Sequence, residues 1–458
     1  MSLKDYHSPK EGHDNKMGMK NEDSTFPKRL KRYAQVSGAV TGIAAKMGGA
    51  KLRGKSLNDE EYAQFLVGWL GSLKGPLIKV AQLVAMIPDF LPPAYAQELA
   101  ALQSDAPAMG RLFVKRRLRN ELGDEWADKF ADFNLQACHA ASLGQVHKAV
   151  SLKGETLACK LQYPNMAAVV DADLAQLKMV LKLYDKFETT IDHKEILAEI
   201  VQHLLLELDY EKEAQNMCLF REMLRQETNV RVPTPVPILS TKRFLTMSWE
   251  EGEKLLAYKN SALDLRNIMA RNLFRGWYLP FYQYGILHGD PHMGNYRTTP
   301  EGDIIIYDFG CVRTFTPVFM SGVIDLYHSL LHNKPTLAKQ AYEKWGFSQL
   351  TGDLIEALNL WARYLYGPLL QDKVRPIEDS FSSQKGRDVA REVHALLKRQ
   401  GGITPPREFV FVDRAAVGLG SVFMHLQAQL NWHQLFEELI QDFCEEKLKK
   451  AQEKLLAP

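Results

Sequence analysis

The sequence predicts an α+β chain of two lobes, one rich in β-strands and the other mostly helical. Three observations favour this fold class. Apolar, strand-like segments joined by short turns run from residue 133 to residue 162. A long helical region is predicted over 166–226, and the chain beyond Lys254 is mostly helical. At 458 residues the chain is long enough for one bilobal domain with extensions.

Composition excludes several function classes. The formal net charge is +2, from 57 Lys and Arg against 55 Asp and Glu, which argues against a dedicated nucleic-acid binder. The five cysteines show no C-x-x-C spacing, so neither a zinc site nor a disulfide framework is supported. Residues 1–26 carry both charge signs and no apolar segment, which predicts a disordered N-terminus without a secretory signal.

One uncharged run and one basic cluster bear on membrane contact. Residues 415–436 contain no Asp, Glu, Lys or Arg, but their polar side chains would be costly in hydrocarbon. We therefore interpret the run as one buried core helix. The basic cluster at 28–32 either touches an anionic lipid or phosphate surface or is a solvated charge run.

The chemistry is concentrated in two short motifs, H-G-D-P-H-M-G-N at 288–295 and I-I-I-Y-D-F-G at 304–310. Asp290 and Asn295 are five positions apart, and Asp308 follows a short strand. Each motif alone is weak, since Asp-Phe-Gly can simply close a hairpin. Together, in this order, they predict that Asp290 orients a nucleophile while Asn295 and Asp308 bind Mg²⁺ on ATP. This is the chemical half of a protein-kinase-like nucleotide site.

The fold prediction is therefore a bilobal protein-kinase-like fold with an N-terminal helical extension and a mostly helical large lobe. A basic helix at 111–122 ends that extension. Four segments follow from the pattern, in order a disordered N-terminus, the extension, a small lobe and a large lobe, at 1–26, 27–125, 126–250 and 251–458. The strands are predicted at 133–142, 145–150, 155–162, 230–239 and 243–249.

The small lobe supplies a candidate phosphate-binding lysine. Lys160 lies among alternating apolar residues on the third strand, a pattern that turns its ammonium away from the buried face. Of the acids at 207–213, Glu213 is the predicted partner, because the helix continues beyond it. An exposed strand lysine is the alternative. Met247 and Trp249 lie where a hinge would contact adenine.

The loop between the first two strands contains Ala140, Ala141 and Ser142 where a protein kinase has glycines. Alanine makes such a loop stiffer and changes its fit to phosphates. Farther upstream, Lys79 and Gln82 are three residues apart and so share one face of a predicted helix.

Together these residues resemble the UbiB family of atypical kinases, whose eukaryotic members are the ADCK-type kinases tied to coenzyme Q. The resemblance runs from about residue 34 to the C-terminus. It is carried by the Lys79 and Gln82 helix, the Ala-rich loop, C-K-L-Q-Y-P around Lys160, the acids Glu207, Asp209 and Glu213, and the two motifs above.

The resemblance implies an ATP-binding fold whose helical extension lies over the active site and blocks protein substrates. Lys79 and Gln82 would face the nucleotide, with Lys79 paired to Glu207 and Asp209. The implied activity is Mg²⁺-dependent ATP hydrolysis or small-molecule phosphorylation in support of ubiquinone biosynthesis. The implied location is cytoplasmic, peripheral on the inner membrane, with ubiquinone-biosynthesis proteins or lipid intermediates as partners. Ala81 departs from the family pattern, which has glycine there.

The predicted site residues fall into three groups: catalytic Asp290, Lys160, Lys79 and Glu213; nucleotide-binding Ala140, Ala141, Ser142, Lys160, Met247, Trp249, Gln82, Glu207 and Asp209; and metal-binding Asn295 and Asp308.

Two other functions stay open from the sequence. A small-molecule phosphotransferase of the aminoglycoside or choline-kinase type shares the H-G-D-x-x-x-x-N loop, although the Asp-Phe-Gly pattern and the Lys79 helix disfavour it. A nucleotide-gated lipid-binding scaffold would keep the site without turnover. The phosphoryl acceptor, the lipid or protein partner and the oligomeric state do not follow from the residues.

Overall fold

A computed structural model describes residues 109–140, 143–164, 204–377, 383–399 and 406–457, with scattered positions between 166 and 202. The predicted mixed α+β fold is confirmed: a five-stranded antiparallel sheet is followed by a mostly helical region with three smaller sheets. The predicted disordered segment 1–26 and the part of the helical extension before residue 109 lie outside the described residues. Where the two lobes divide along the chain stays a prediction.

The first half of the described chain contains the five-stranded sheet, the helices packed on it and one strand of a second sheet. The elements in chain order are α1 (Arg111–Leu122), β1 (Phe130–Phe133), β2 (His139–Ala140), β3 (Gly144–Ser151), β4 (Thr156–Gln162), α2 (Tyr210–Met223), β5 (Val230–Arg231) and β6 (Phe244–Ser248). The strand order in the five-stranded sheet is β1-β3-β4-β6, and β2 pairs with β3.

The two faces of strand β4 have different surroundings. Leu157, Cys159 and Leu161 are buried in a cluster with Val114 and Leu118 of α1. Because side chains alternate along a strand, the intervening Lys160 points to the opposite face. The sheet thus buries one face under α1 and presents Lys160 on the other.

The long helix predicted over 166–226 is wrong as a single element. The described positions between 166 and 206 are helical, but the chain turns at 207–209 and a new helix, α2, begins at Tyr210. The carboxylate of Asp209 accepts a hydrogen bond from the Lys212 backbone N–H at 3.1 Å. An N-cap of this kind starts a helix, which explains the break.

Two predicted strands are also too long. In the described part of this segment, residues 133–140, the strands are the end of β1 and the two residues of β2, and the chain between them is irregular. The segment 230–239 contains β5 and a 3-10 turn at Pro237–Leu239. Proline has no backbone N–H to give to a sheet, and Pro233 and Pro235 interrupt that segment.

The second half of the chain surrounds the two sequence motifs with helices. The remaining elements are β7 (Glu253–Lys254), α3 (Leu263–Tyr284), β8 (Ile286–His288), β9 (Tyr296–Thr298), β10 (Ile304–Ile306), β11 (Val312–Thr314), α4 (Pro317–His332), α5 (Pro335–Lys344), α6 (Gly352–Tyr366), β12 (Arg375–Pro376), α7 (Ser383–Arg399), α8 (Arg407–Leu426), β13 (Gln429–Leu430), α9 (Trp432–Ile440) and α10 (Glu445–Leu456). The early strand β5 pairs in parallel with β10 and so joins the sheet β5-β10-β9-β7.

The single core helix predicted at 415–436 is wrong in its bounds. The run contains the end of α8, the strand β13 and the start of α9. Gln427 ends α8 in the left-handed conformation, with φ 48°, and so turns the chain. Among the described residues, α8 is the one helix long and apolar enough to cross a membrane, and 44% of its most apolar window is buried inside the structure.

Helix α8 belongs to the core of the helical lobe. Phe411, Leu419 and Phe423 are buried, and the Phe423 ring lies 5.0 Å from the ring of Trp432 on α9. Mid-helix Asp413 and Arg414 are buried and hydrogen-bonded to other parts of the chain. These contacts favour the interpretation of α8 as a core helix.

Candidate nucleotide site

Strand β4, helix α2 and the loop after β10 meet around one ammonium group. Lys160 Nζ lies 2.9 Å from both carboxylate oxygens of Glu213 on α2. It also lies 3.8 Å from Oδ1 of Asp308 and 4.9 Å from the centre of the Tyr210 ring. The lysine side chain is 12% exposed. Lys160, Glu213 and Asp308, which are far apart in sequence, are therefore brought to one place.

The charges at this place set the protonation of the lysine. Burial disfavours its ammonium, but the carboxylates of Asp308 and Glu213 outweigh burial and raise the pKa of Lys160 above its ordinary value. The lysine is therefore positively charged at neutral pH. A fixed positive charge beside an acid that can bind a metal ion suits the binding of a polyphosphate.

The two predicted metal-binding residues are held at one end of a hairpin. β9 and β10 are antiparallel, with Tyr296 opposite Ile306, and the N–H of Tyr307 donates to the carbonyl of Asn295 at 2.9 Å. The backbone of Asp308 has φ 59°, a left-handed conformation that is uncommon for residues other than glycine and costs on the order of 1–3 kcal/mol. Strain of this size is often retained at functional sites.

The donor set fits a magnesium ion bound together with phosphates. The side-chain N–H of Asn295 donates to the carbonyl of Asp290 at 3.3 Å, which leaves its amide oxygen for a cation. No cluster of three or more His, Cys, Asp or Glu that could hold a metal occurs among the described residues. Mg²⁺ in phosphoryl-transfer sites takes one or two protein carboxylates and completes its shell with phosphate and water oxygens. Asn295 and Asp308 satisfy that requirement.

Asp290 lies in the loop between β8 and β9 and is 6% exposed. Its Oδ1 accepts a hydrogen bond from the His292 N–H at 3.2 Å, and its own N–H donates to Nδ1 of His288 at 3.3 Å. Burial lowers the pKa of His288, so that imidazole is neutral at pH 7. His288 thus supports the loop through the Asp290 N–H, and the role of Asp290 in orienting a nucleophile stays a prediction.

A cluster of aromatic rings in tilted and edge-to-face contact connects this loop to the following motif and to α2. The Phe309 ring lies 4.9 Å from Phe220 on α2 and 5.2 Å from His288. The side-chain N–H of Asn216, also on α2, donates to the carbonyl of Phe309 at 2.8 Å. Helix α2 therefore contacts Lys160 through Glu213 and the Asp-Phe-Gly segment through Asn216 and Phe220.

The acids at the start of α2 lie at different distances from the site. Glu207 is 6% exposed, and a Cβ built on Gly310 would lie 3.4 Å from its Cγ, so Glu207 packs against the Asp-Phe-Gly segment. Asp209 instead caps α2 and lies 3.7 Å from Lys242 Nζ. Their predicted partner Lys79, and Gln82, Ala141 and Ser142, lie outside the described residues.

The predicted hinge follows β6. Met247 is buried opposite Ala158 on β4. Trp249 donates its indole N–H to Glu251 at 2.7 Å, and Lys148 Nζ lies 4.6 Å from the centre of its ring. The backbone N–H of Trp249 already donates to Thr156 O at 3.0 Å, so adenine would have to use other backbone groups here. Ala140 ends β2, paired with Gln145.

Sequence reasoning missed three residues that contact this site: Tyr210, Asn216 and Arg414. Asn216 is three residues after Glu213 on the same helix, so the i, i+3 spacing pointed to it. Tyr210 is likewise three residues before Glu213. Arg414 is more than 120 residues from the loop it contacts, and no local pattern indicates it.

Residues 101–341 match the ABC1 atypical kinase-like domain, which is more than half of the chain and includes Lys160, Glu213, Asp290 and Asp308. The chain belongs to the ABC1 family of atypical kinases. This family is the one that the UbiB and ADCK resemblance indicated, so the sequence-based identification is confirmed.

Curated relatives of this ABC1 chain come from plants and animals. The chloroplastic ACTIVITY OF BC1 COMPLEX KINASE 8 of Arabidopsis thaliana is 30% identical over 67% of this chain and 41% of its own length. The mitochondrial atypical kinase coq-8 of Caenorhabditis elegans is 25% identical over 90% of this chain and 55% of its own length. The chain thus spans about half the length of these relatives.

A solved structure supports the architecture. The structure of Rv3197 from Mycobacterium tuberculosis, determined as a complex with erythromycin, matches with a TM-score of 0.57 at 24% identity. The match covers 86% of this chain and 98% of that one. At this identity the match supports the fold alone.

Proposed function

We propose that this ABC1 chain binds Mg-ATP and supports ubiquinone biosynthesis by hydrolysing ATP or phosphorylating a small molecule. The observation that carries the proposal is the meeting of Lys160, Glu213 and Asp308, with 2.9 Å and 3.8 Å separating the lysine from the two acids. A kinase-like nucleotide site needs a phosphate-binding cation beside a metal-binding acid.

Each residue has a role in this proposal. Glu213 holds Lys160 so that its ammonium can meet the phosphates, while Asn295 and Asp308 would hold the magnesium ion. A bound magnesium ion supplies positive charge to the phosphates as negative charge shifts on transfer. Asp290 accepts the hydrogen bond of the attacking water or hydroxyl and so orients it.

The ubiquinone link is supported by relationship, since coq-8 aligns with 90% of this chain. We propose a cytoplasmic location, peripheral on the inner membrane, with lipid intermediates or ubiquinone-biosynthesis proteins as partners.

The proposal is tested by binding and turnover together. Thermal unfolding is measured for the wild type, Asp308→Asn and Asp264→Asn, with and without excess MgATP. ATP hydrolysis by the same three proteins is measured with and without anionic liposomes and a phenolic quinone precursor. Asp264 is exposed at the start of α3, outside the site, and is the matched control. At a MgATP concentration 100 times Kd, the wild type and the control gain about 2.7 kcal/mol of stability.

Asp308→Asn should lose both the gain in stability and the ATP hydrolysis, because the substitution removes the negative charge that binds the cation. An unchanged melting temperature of the wild type in excess MgATP would overturn the proposal. Turnover on a hydroxylated metabolite without lipid dependence would favour the aminoglycoside or choline-kinase alternative. Binding without turnover, with Asp290→Asn still functional in cells, would favour the lipid-binding scaffold.

A further inference from the structure

Helix α8 lies directly against the loop that carries Asp290. Phe411, Arg414 and Gly418 are spaced i, i+3 and i+7, so they share one face of the helix. All three contact the segment Gly289–Pro291 or leave space for it. A Cβ built on Gly289 would lie 2.1 Å from Cζ of Phe411, and one on Gly418 would lie 2.3 Å from Cγ of Pro291. The helix and the loop therefore approach as closely as glycine permits.

Between these two contacts, Arg414 makes a hydrogen bond to the loop. Its Nη2 donates to the carbonyl oxygen of Gly289 at 2.9 Å, and both residues are buried. That carbonyl belongs to the peptide that joins Gly289 to Asp290. The backbone N–H of Gly289 donates to Cys311 O at 2.6 Å, so both the N–H and the carbonyl of Gly289 are hydrogen-bonded.

The burial of Arg414 is costly. Arg414 is 9% exposed, and its Nε has no hydrogen-bond partner within the described part of the chain. The guanidinium lies 5.4 Å from the centre of the Phe411 ring, a cation–π contact that offsets part of the cost. Among the described residues Arg414 has no carboxylate partner, and a buried cation left unpaired in this way is costly, so stability alone does not explain its presence. The one hydrogen bond that Arg414 makes within the described chain goes to the loop, at Gly289 O.

We propose that Arg414 is a positioning residue that fixes the Gly289–Asp290 peptide and thereby the direction of the Asp290 carboxylate. This inference rests on the proposed function and adds a residue to it, at a place beyond residues 101–341. Because Asp290 also accepts the His292 N–H, rotation of this peptide would move the carboxylate relative to the nucleophile. A misplacement of about 1 Å in a catalytic group can cost on the order of 100-fold in rate.

The test compares Arg414→Met with Arg266→Met. Arg266 is the matched control, because its Nη1 also donates to backbone carbonyls, Leu426 O at 2.9 Å and Gln427 O at 2.8 Å, at the other end of the same helix. We expect Arg414→Met to lower kcat on the order of 10–100-fold with little change in the KM for MgATP. Arg266→Met should lower the melting temperature and leave kcat intact.

Two further measurements separate positioning from general damage. Arg414→Lys keeps one N–H donor for Gly289 O and should recover most of kcat. In the Asp290→Asn background, Arg414→Met should cause little additional loss, since both changes act on the same group; independent effects would multiply.

Hydrogen exchange of the 286–295 peptide gives a readout that needs no turnover. Exchange should be faster in Arg414→Met than in the wild type or in Arg266→Met. Equal exchange in the two Met variants, or equal loss of kcat, would overturn the inference. An inactive wild type that fails to bind MgATP would overturn the proposed function instead, while the exchange comparison would still decide the role of Arg414.

Discussion

Asp413 is a buried acid one residue from Arg414, and its surroundings affect stability. The indole N–H of Trp361 donates to its Oδ1 at 2.5 Å, and the residue is 8% exposed. Burial raises the pKa of Asp413 to about 6, although the Trp361 hydrogen bond lowers it. Tyr364 is a nearby titratable group whose pKa is raised by burial and, to a smaller extent, by the charge of this acid. The folded chain therefore disfavours the ionised acid more than the unfolded chain does.

This makes unfolding dependent on pH. The folded pKa of Asp413 lies above the unfolded value of 3.8, so its penalty is absent below about pH 4 and complete above about pH 6. We expect the wild type to lose on the order of 2–3 kcal/mol of stability between pH 4 and pH 7 relative to Asp413→Asn, which does not titrate. Urea unfolding of both proteins at several pH values measures the difference. Parallel pH curves would contradict the assigned burial effect.

At the scale of elements, the C-terminal helix α10 secures the end of α3, from which the β8 strand and the Asp290 loop emerge. The side-chain N–H₂ of Gln452 donates to Tyr284 O and to Phe315 O, both at 2.8 Å. Tyr284 is the last residue of α3, and Phe315 follows β11. The Gln452 amide thus connects the end of α3, which leads into β8 and the Asp290 loop, with the residue after β11, the strand that pairs with β8.

Gln452→Met should therefore destabilise the protein. Two carbonyls would lose a donor, at about 1–3 kcal/mol for each buried group left unsatisfied, while the helix and its apolar contacts remain. The measurement is the free energy of unfolding in urea, with Glu453→Gln, an exposed neighbour on the same helix, as control. A Gln452→Met protein as stable as that control would show that water replaces the lost donor.

The elements predicted best are those whose signal is local. The basic helix over Arg111–Leu122 and the strands around Lys160 and Met247 match closely, because alternation and helical spacing depend on near neighbours. The errors arise where one polar side chain or proline decides the outcome. Asp209 divides the helix predicted over 166–226, and left-handed Gln427 ends α8 within an apolar run.

At the scale of the whole molecule, the sequence predicted which motifs occur but not how they meet. The approach of Lys160 to Glu213 and Asp308 depends on contacts across the chain. Only the choice of Glu213 followed from a local feature, the continuation of the predicted helix beyond it. The contact of α8 with the Asp290 loop had no local signal, because Arg414 looks like any helical arginine until the fold places it. The metal-binding and nucleotide-binding roles stay predictions.

The joining of both lobes at Lys160 leads to a prediction about magnesium. The Lys160 ammonium lies 2.9 Å from a carboxylate oxygen of Glu213 on α2. It also lies 3.8 Å from Oδ1 of Asp308, which follows β10 in the helical lobe. If Glu213 is replaced by glutamine, the buried ammonium loses its closer charged partner, and breaking a buried pair is strongly unfavourable. Among the described residues Asp308 is the other carboxylate paired with Lys160, so the ammonium should move toward it.

In Glu213→Gln, Lys160 would thus compete with magnesium for Asp308. We expect the apparent affinity for Mg²⁺ in the presence of ATP to fall at least about tenfold, equivalent to 1.4 kcal/mol, while affinity for nucleotide in excess magnesium falls less. Titrating Mg²⁺ at fixed ATP, with binding followed by thermal stability, measures this. Lys160→Met in the Glu213→Gln background removes the competitor and should restore the magnesium affinity at the expense of phosphate binding. If magnesium affinity stays low in the double variant, Glu213 acts on Asp308 by another route than the shared lysine.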